Sequence, residues 1–347
     1  MQPIHTLNDF FQRSGAEVRA YHLGRRVEPF SLDTLAAFES GELAWPAPWQ
    51  GEARLGLVFR LGDMPDPVIW FLALPLDEQG KLDPAPRDAF VQRLLETLGR
   101  NAQSLEAAPP GKADNLMHDN PLAFTPSLPF RAVLHARATR DMGQPASQHL
   151  EPVEAYLSGQ QAIDWQALGL QGLADYAVRL DAGAARALAE RLATLPAEAL
   201  TSLCYCLEHV AIPDELAHAL RRRGELAATQ GDIEVFCACV RAMGGASTAI
   251  AGDWFDILLA DPDACGPDML AAIAGRGWVH LEHASRLPQF LARLAETPHA
   301  DFASMARDLA LIPRLRLPVL MTLREAQADS AIGRRLAELT RPPQRHA

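Results

Sequence analysis

Cys204, Cys206 and His209 bring two thiols and an imidazole within six residues, and Cys237 and Cys239 repeat the Cys-x-Cys spacing 33 residues later. Such a set could hold zinc or cycle between thiol and disulfide. The spacing argues against both. Positions i and i+2 of a regular helix diverge by about 200°, so the paired thiols cannot clamp one ion from a helix. Their neighbours Leu203, Leu207, Val210, Phe236, Val240 and Met243 are those of a packed helix. The 33-residue offset puts each thiol at an equivalent place, where the next segment supplies Leu270 and Ala272. The four cysteines therefore read as small apolar packing residues. Cys265, in the turn from Asp261 to Pro267, is expected to be exposed and to react first.

The remaining chemical signals are sparse. His280 and His283 are three apart, whereas zinc-peptidase patterns place two histidines four apart, so a solvated helix start is the expectation. His209 follows Glu208, and the equivalent positions one step on are Arg241 and Ala242, so no acid-base pair recurs there. No phosphate-binding glycine loop, dinucleotide fingerprint or nucleophile elbow occurs, and no catalytic, metal-binding or cofactor-binding set is assigned. Arg221, Arg222 and Arg223 form a basic triplet read as a helix end beside Gly224, suited to complementing a helix dipole or meeting an acidic partner. Trp45 and Trp49 flank a Pro-rich loop that either covers a sheet or offers a partner-binding anchor. Trp254, Phe255 and Trp278 fall at helical spacing and are expected in the core.

Two kinds of element must position these residues. Up to residue 104 strand and helix signals mix: a strand over 16–23, a helix opened by Ser31, and β-rich runs over 53–61 and 67–74 joined as an antiparallel hairpin. The run over 67–74 is apolar throughout and is expected to be a central strand covered on both faces. A turn at 77–80 and an amphipathic helix over 87–98 complete a small α+β domain. Residues 105–128 are rich in Pro, Gly and Asn and read as a linker or long loop.

Residues 129–343 read as all-helical, with breaks every 16 to 18 residues. Leu203, Phe236, Met269 and Phe302 are 33 apart, as are Leu207, Val240, Ile273 and Ala306. Leu-Ala pairs at 192, 226, 259 and 294 keep nearly the same step. This is the arithmetic of a helical-hairpin repeat, an α-α superhelix in which each hairpin buries its apolar face on its neighbours. By period, this part resembles HEAT-type α-solenoids.

The 347 residues, 48% hydrophobic and 22% charged, suit a folded two-domain protein. A net charge of −11 disfavours a nucleic-acid partner, and only Lys81 and Lys112 of the 32 cations are lysine. The start lacks a signal-peptide pattern and no apolar run is long enough to cross a bilayer, so a cytoplasmic protein without membrane contact is expected. Five cysteines clustered in one third of the chain do not suggest a secreted disulfide framework. The segments around Leu7 to Phe11, Gly24 to Val27, Ile69 to Leu82 and Arg87 to Phe90 resemble an uncharacterised family of bacterial proteins of unknown function. That resemblance implies a bacterial, intracellular protein and carries over no activity.

The favoured reading is a non-enzymatic interaction or scaffold protein that engages a protein partner through the helical surface, with Trp45, Trp49 and the triplet Arg221 to Arg223 as contact candidates. The alternative is an enzyme or small-ligand-binding protein with a pocket between the α+β domain and the first helices, drawing on His118, Asp119 and Arg131. Homo-oligomers through the edge of the N-terminal sheet are also open.

Overall fold

The structure is a computed structural model and describes residues 4–61, 66–98, 117, 118, 120–161 and 164–340. It divides into two compact units: Met1–Gly143 with Leu311–Pro313, and Gln144–Ala310 with Arg314–Ala347. The first is α+β and the second is built from helices.

In the first unit, strands β1 (Glu17–His22), β2 (Glu28–Phe30), β3 (Glu52–Arg60) and β4 (Val68–Pro75) form one antiparallel sheet in the order β2-β1-β3-β4. Helices α1 (Leu7–Ser14), α2 (Leu32–Glu39) and α3 (Pro84–Leu98) bury Phe10, Phe11, Leu35, Phe38, Phe90 and Leu94 with Leu57, Phe59, Trp70 and Leu72 of the sheet. On the opposite side Leu134 of α4 (Leu128–Asp141) approaches Gly56, where a side chain would collide with Leu23 and Leu134. Glu39 ties three helices together: its carboxylate accepts from the Leu7 and Asn8 amides at the start of α1 (2.8 and 2.9 Å) and from Arg87 of α3 (2.9 Å). A helix N-terminus and a guanidinium are the partners that a buried carboxylate requires.

The hairpin, the Ser31 cap and the 77–80 turn stand as the sequence suggested, while strand β4 does not. It lies at the edge of the sheet and alternates buried with half-exposed residues, leaving Ile69 37% accessible. Its apolar outward face is explained by Phe124, whose ring meets that of Phe71 at 6.1 Å. Backbone bonds from Ala73 N to Leu122 O and from Phe124 N to Phe71 O occupy part of the open edge. An edge strand with a partly covered rim replaces the expected central one.

The second unit contains α5 (Leu150–Leu157), α6 (Leu170–Val178), α7 (Ala182–Arg191), α8 (Ala197–Leu207), α9 (Asp214–Thr229) and α10 (Ile233–Met243). There follow α11 (Thr248–Ala260), α12 (Pro267–Arg276), α13 (Arg286–Glu296), α14 (Phe302–Leu311), α15 (Pro313–Glu325) and α16 (Ala331–Thr340), with Leu311–Pro313 at the α14–α15 junction counted in the first unit. Helices two apart in the chain pack on one another: α6, α8, α10 and α12 make one row and α7, α9, α11 and α13 a second. The eight residues of the two 33-step series, Leu203 to Phe302 and Leu207 to Ala306, are all at most 5% exposed. The Leu-Ala series marks no common face, because Leu226 is 45% exposed while Leu192, Leu259 and Leu294 are buried.

Gly224 is not a stop signal, and the Arg221 to Arg223 triplet is not at a helix end; both lie inside α9. The reason is close approach. A Cβ at Gly224 would sit 2.8 Å from the Trp254 ring and 3.1 Å from Cys239 Cβ, so glycine lets α9 meet α10 and α11 at that height. Gly224→Ala is expected to lower stability by about 1–3 kcal/mol through overpacking, despite the better helix propensity of alanine. Thermal and urea unfolding of the variant against the parent chain measure this.

Candidate functional site

The cysteines resolve first. Cys204, Cys206 and Cys239 are fully buried, and Cys204 shares a hydrogen bond with Cys239 across the contact between α8 and α10. That bond and burial both push the Cys204 thiol up, and burial does the same to Cys206. These are packing residues, in line with their apolar neighbours. The expectation for Cys265 fails: it is 4% exposed, with Sγ 3.4 Å from Leu258 O, because its turn folds back under the end of α11. Burial raises the Cys265 thiol to about 11. Cys237 is instead the half-exposed thiol, raised to about 11 by burial and next by the charge of Asp268.

A cluster of buried charge surrounds Glu208. Glu208, at the C-terminal end of α8, is 2% exposed. Arg241 of α10 donates from Nε to its Oε2 at 2.6 Å and from Nη2 to its Oε1 at 2.9 Å, and Arg276 of α12 donates from Nε at 2.6 Å. His209 Nε2 lies 3.6 Å from the same carboxylate. Burial alone would raise Glu208, but Arg276, His209 and Arg241 outweigh it and hold the carboxyl below its ordinary value. The Arg241 guanidinium also covers the Tyr205 ring at 5.2 Å. Identity from one 33-residue step to the next does not mark this cluster, because facing helices need complementary charges. Glu208 opposite Arg241 at a step of 33 was the available signal.

His280 is likewise not at a solvated helix start. It is 2% exposed, its Nε2 is 3.1 Å from Gly244 O, and its ring stands edge-on to Phe255. Only His283 is exposed, with Nδ1 3.1 Å from Ser285 Oγ.

A groove of about 650 Å³ opens between the α9–α10 and α11–α12 turns. Ile233, Phe236, Cys237, Leu258 and Met269 give it an apolar lining, and its four charged lining residues, Glu225, Asp261, Asp263 and Asp268, are all acidic. Glu225 pairs with Arg221 at 2.8 Å. Asp261 accepts from the Asp263 amide and Asp268 opens α12, while no described cation lies within ion-pair distance of Asp261, Asp263 or Asp268. The groove offers hydrophobic burial rimmed by carboxylates, three of which have no cation within ion-pair distance among the described residues.

Of the residues singled out from sequence, Trp45, Trp49, His118 and Arg131 fall in the first unit and Arg221 to Arg223 in the second. Trp45 is fully buried against His22, Phe30 and Phe38, so it covers the sheet and is no surface anchor. The reason is the loop path: Trp45 N bonds to Gly80 O, and Gly24 allows Trp49 Cβ to approach closely. Trp49 is half-buried beneath the Arg25 guanidinium, at 5.3 Å. In the triplet, Arg221 pairs with Glu225 and with Asp253 of α11 (2.7 Å), Arg222 is exposed and Arg223 is half-buried. His118 is exposed, its carbonyl accepting from Arg93 at 3.1 Å, and Arg131 is exposed on α4. Asp119 lies outside the described residues.

Two outcomes follow from these environments. Glu208→Ala strands Arg276 in the interior and is expected to cost about 3–5 kcal/mol at neutral pH. Because the folded carboxyl titrates below its unfolded value, that contribution is complete above about pH 4.3 and is lost as the pH falls through the folded value, so parent and variant converge in acid. Thermal melts across pH measure the convergence. With a thiol-selective maleimide, Cys237 is expected to label first, faster as pH rises toward 11, and the other four only after denaturant is added. Peptide mapping reads the order.

No curated protein and no solved structure matches the chain. No helix among the described residues is long and apolar enough to cross a membrane. The family model described as a protein of unknown function, DUF3549, matches residues 2–340, and the chain belongs to that family.

Proposed function

We propose that the chain is a non-enzymatic interaction protein whose helical part is a HEAT-like solenoid, and that a protein partner docks in the groove between the α9–α10 and α11–α12 turns. The repeat reading is supported by the two rows of helices and the 33-residue spacing of their buried anchors. One observation carries the interaction: an open volume of about 650 Å³ with an apolar lining whose carboxylates Asp261, Asp263 and Asp268 have no described cationic partner. Docked side chains would gain burial at roughly 25 cal/mol per Å² and a cation would gain its counter-charge. Five unbridged cysteines suit a reducing compartment, so the cytoplasm is the proposed location.

Affinity capture from extract of the source cells, with the parent chain and with Ile233→Glu, tests the reading. Ile233 is 55% exposed at the groove, so the variant is expected to fold. A protein retained by the parent and reduced at least about tenfold by the variant, roughly 1.4 kcal/mol, is the expected result. Retention of no protein, or co-purification of a small molecule displaced by the same substitution, would overturn it.

A further inference from the structure

The groove calls for a ligand with cations at the rim and apolar groups at the centre, and this chain carries one. Leu317, Leu320 and Met321 of α15 are 67%, 49% and 42% exposed. With Arg324 they sit at i, i+3, i+4 and i+7, the spacing of one helix face. Arg314 lies one turn before Leu317, its side chain 80% exposed and its one ion pair among the described residues a 3.3 Å contact to Glu282. The face thus reads cation, apolar stripe, cation, with the two arginines about 15 Å apart along the helix. Groove and stripe are both open in the same chain, so α15 does not fill the groove of its own molecule.

We propose that α15 of a second copy docks in this groove, placing Leu317, Leu320 and Met321 over Ile233, Phe236 and Met269 and bringing Arg314 and Arg324 to the unpaired carboxylates. The proposal rests on the groove being a docking surface, as argued above, and names its occupant. Charge complementarity carries it: the carboxylates Asp261, Asp263 and Asp268 and the cation Arg324 have no described ion-pair partner within the chain. Two different surfaces meet, so the contact either exchanges reciprocally in a two-fold dimer, closes into a larger ring or propagates head to tail.

Charge reversal of the full-length chain, read by sedimentation velocity and light scattering, tests this. The parent is expected to move from 37.8 kDa to at least twice that mass as concentration rises to about 100 µM. Asp263→Arg/Asp268→Arg and, separately, Arg314→Glu/Arg324→Glu are each expected to stay at 37.8 kDa. Mixing the two variants is expected to restore assembly, because each then meets a complementary surface on the other. Leu317→Glu, at an exposed position, is expected to abolish assembly by itself. A monomeric parent, variants that associate like the parent, or a mixture that fails to associate would each overturn the proposal. Such a failure leaves the interaction reading to its own test, the loss of captured protein with Ile233→Glu.

Discussion

The carboxylate of Glu208, held by Arg241 and Arg276, is the constraint on which the helical unit turns. It joins the end of α8 to α10 and α12, three successive helices of one row. Removing these charges from water costs several kcal/mol per ion, and mutual attraction offsets that only in one geometry. The bidentate contact from Arg241 supplies it: a shift of α10 by one residue along α8 would break both of its bonds. Apolar contacts between Leu203, Phe236 and Met269 tolerate sliding far better, since burial has no direction. The cluster thus favours one register where the hydrophobic interface alone would accept several.

The same chemistry recurs in the other row. Arg186 meets Glu215 between α7 and α9, Arg221 meets Asp253 between α9 and α11, and Arg286 grips both oxygens of Asp256 between α13 and α11. Arg293 donates to the carbonyls of Leu259 and Ala260 at the end of α11, and Arg335 does so for Ala295 and Thr297 after α13. A planar fork that can grip two acceptors at once belongs to arginine and not to lysine. The near absence of lysine therefore has a structural counterpart. The carboxylates at 261, 263 and 268 are exposed and have no cation within ion-pair distance among the described residues.

In the α+β unit aromatic burial works beside the Glu39–Arg87 pair. His22 is packed against Phe30 and Trp45, and that burial lowers its pKa to about 4, so the ring is neutral at physiological pH. Arg25, fully buried, reaches the Pro48 carbonyl at 2.9 Å and lies over Trp49. The loop from Trp45 to Gln50 is consequently part of the core's lid. Composition alone could not separate a tryptophan that covers a sheet from one that anchors a partner.

By itself the sequence determined the class of fold: alternating β-rich runs around turns, then helices whose apolar anchors recur every 33 residues. These are local signals, set by backbone periodicity, capping residues and breakers, and each is legible within a short window. It also identified the paired cysteines as packing residues, because helix geometry forbids i and i+2 from sharing one ion. Only the tertiary structure decided which strand lies at the edge, that Gly224 is a point of close approach, and that Cys265 and His280 are buried. It alone brought Glu208, Arg241 and Arg276 together across 33 and 68 residues and left three aspartates at a groove with no ion-pair partner among the described residues. Charge pairing between stacked helices depends on which faces meet, a relation between distant segments that the periodicity of either one does not contain.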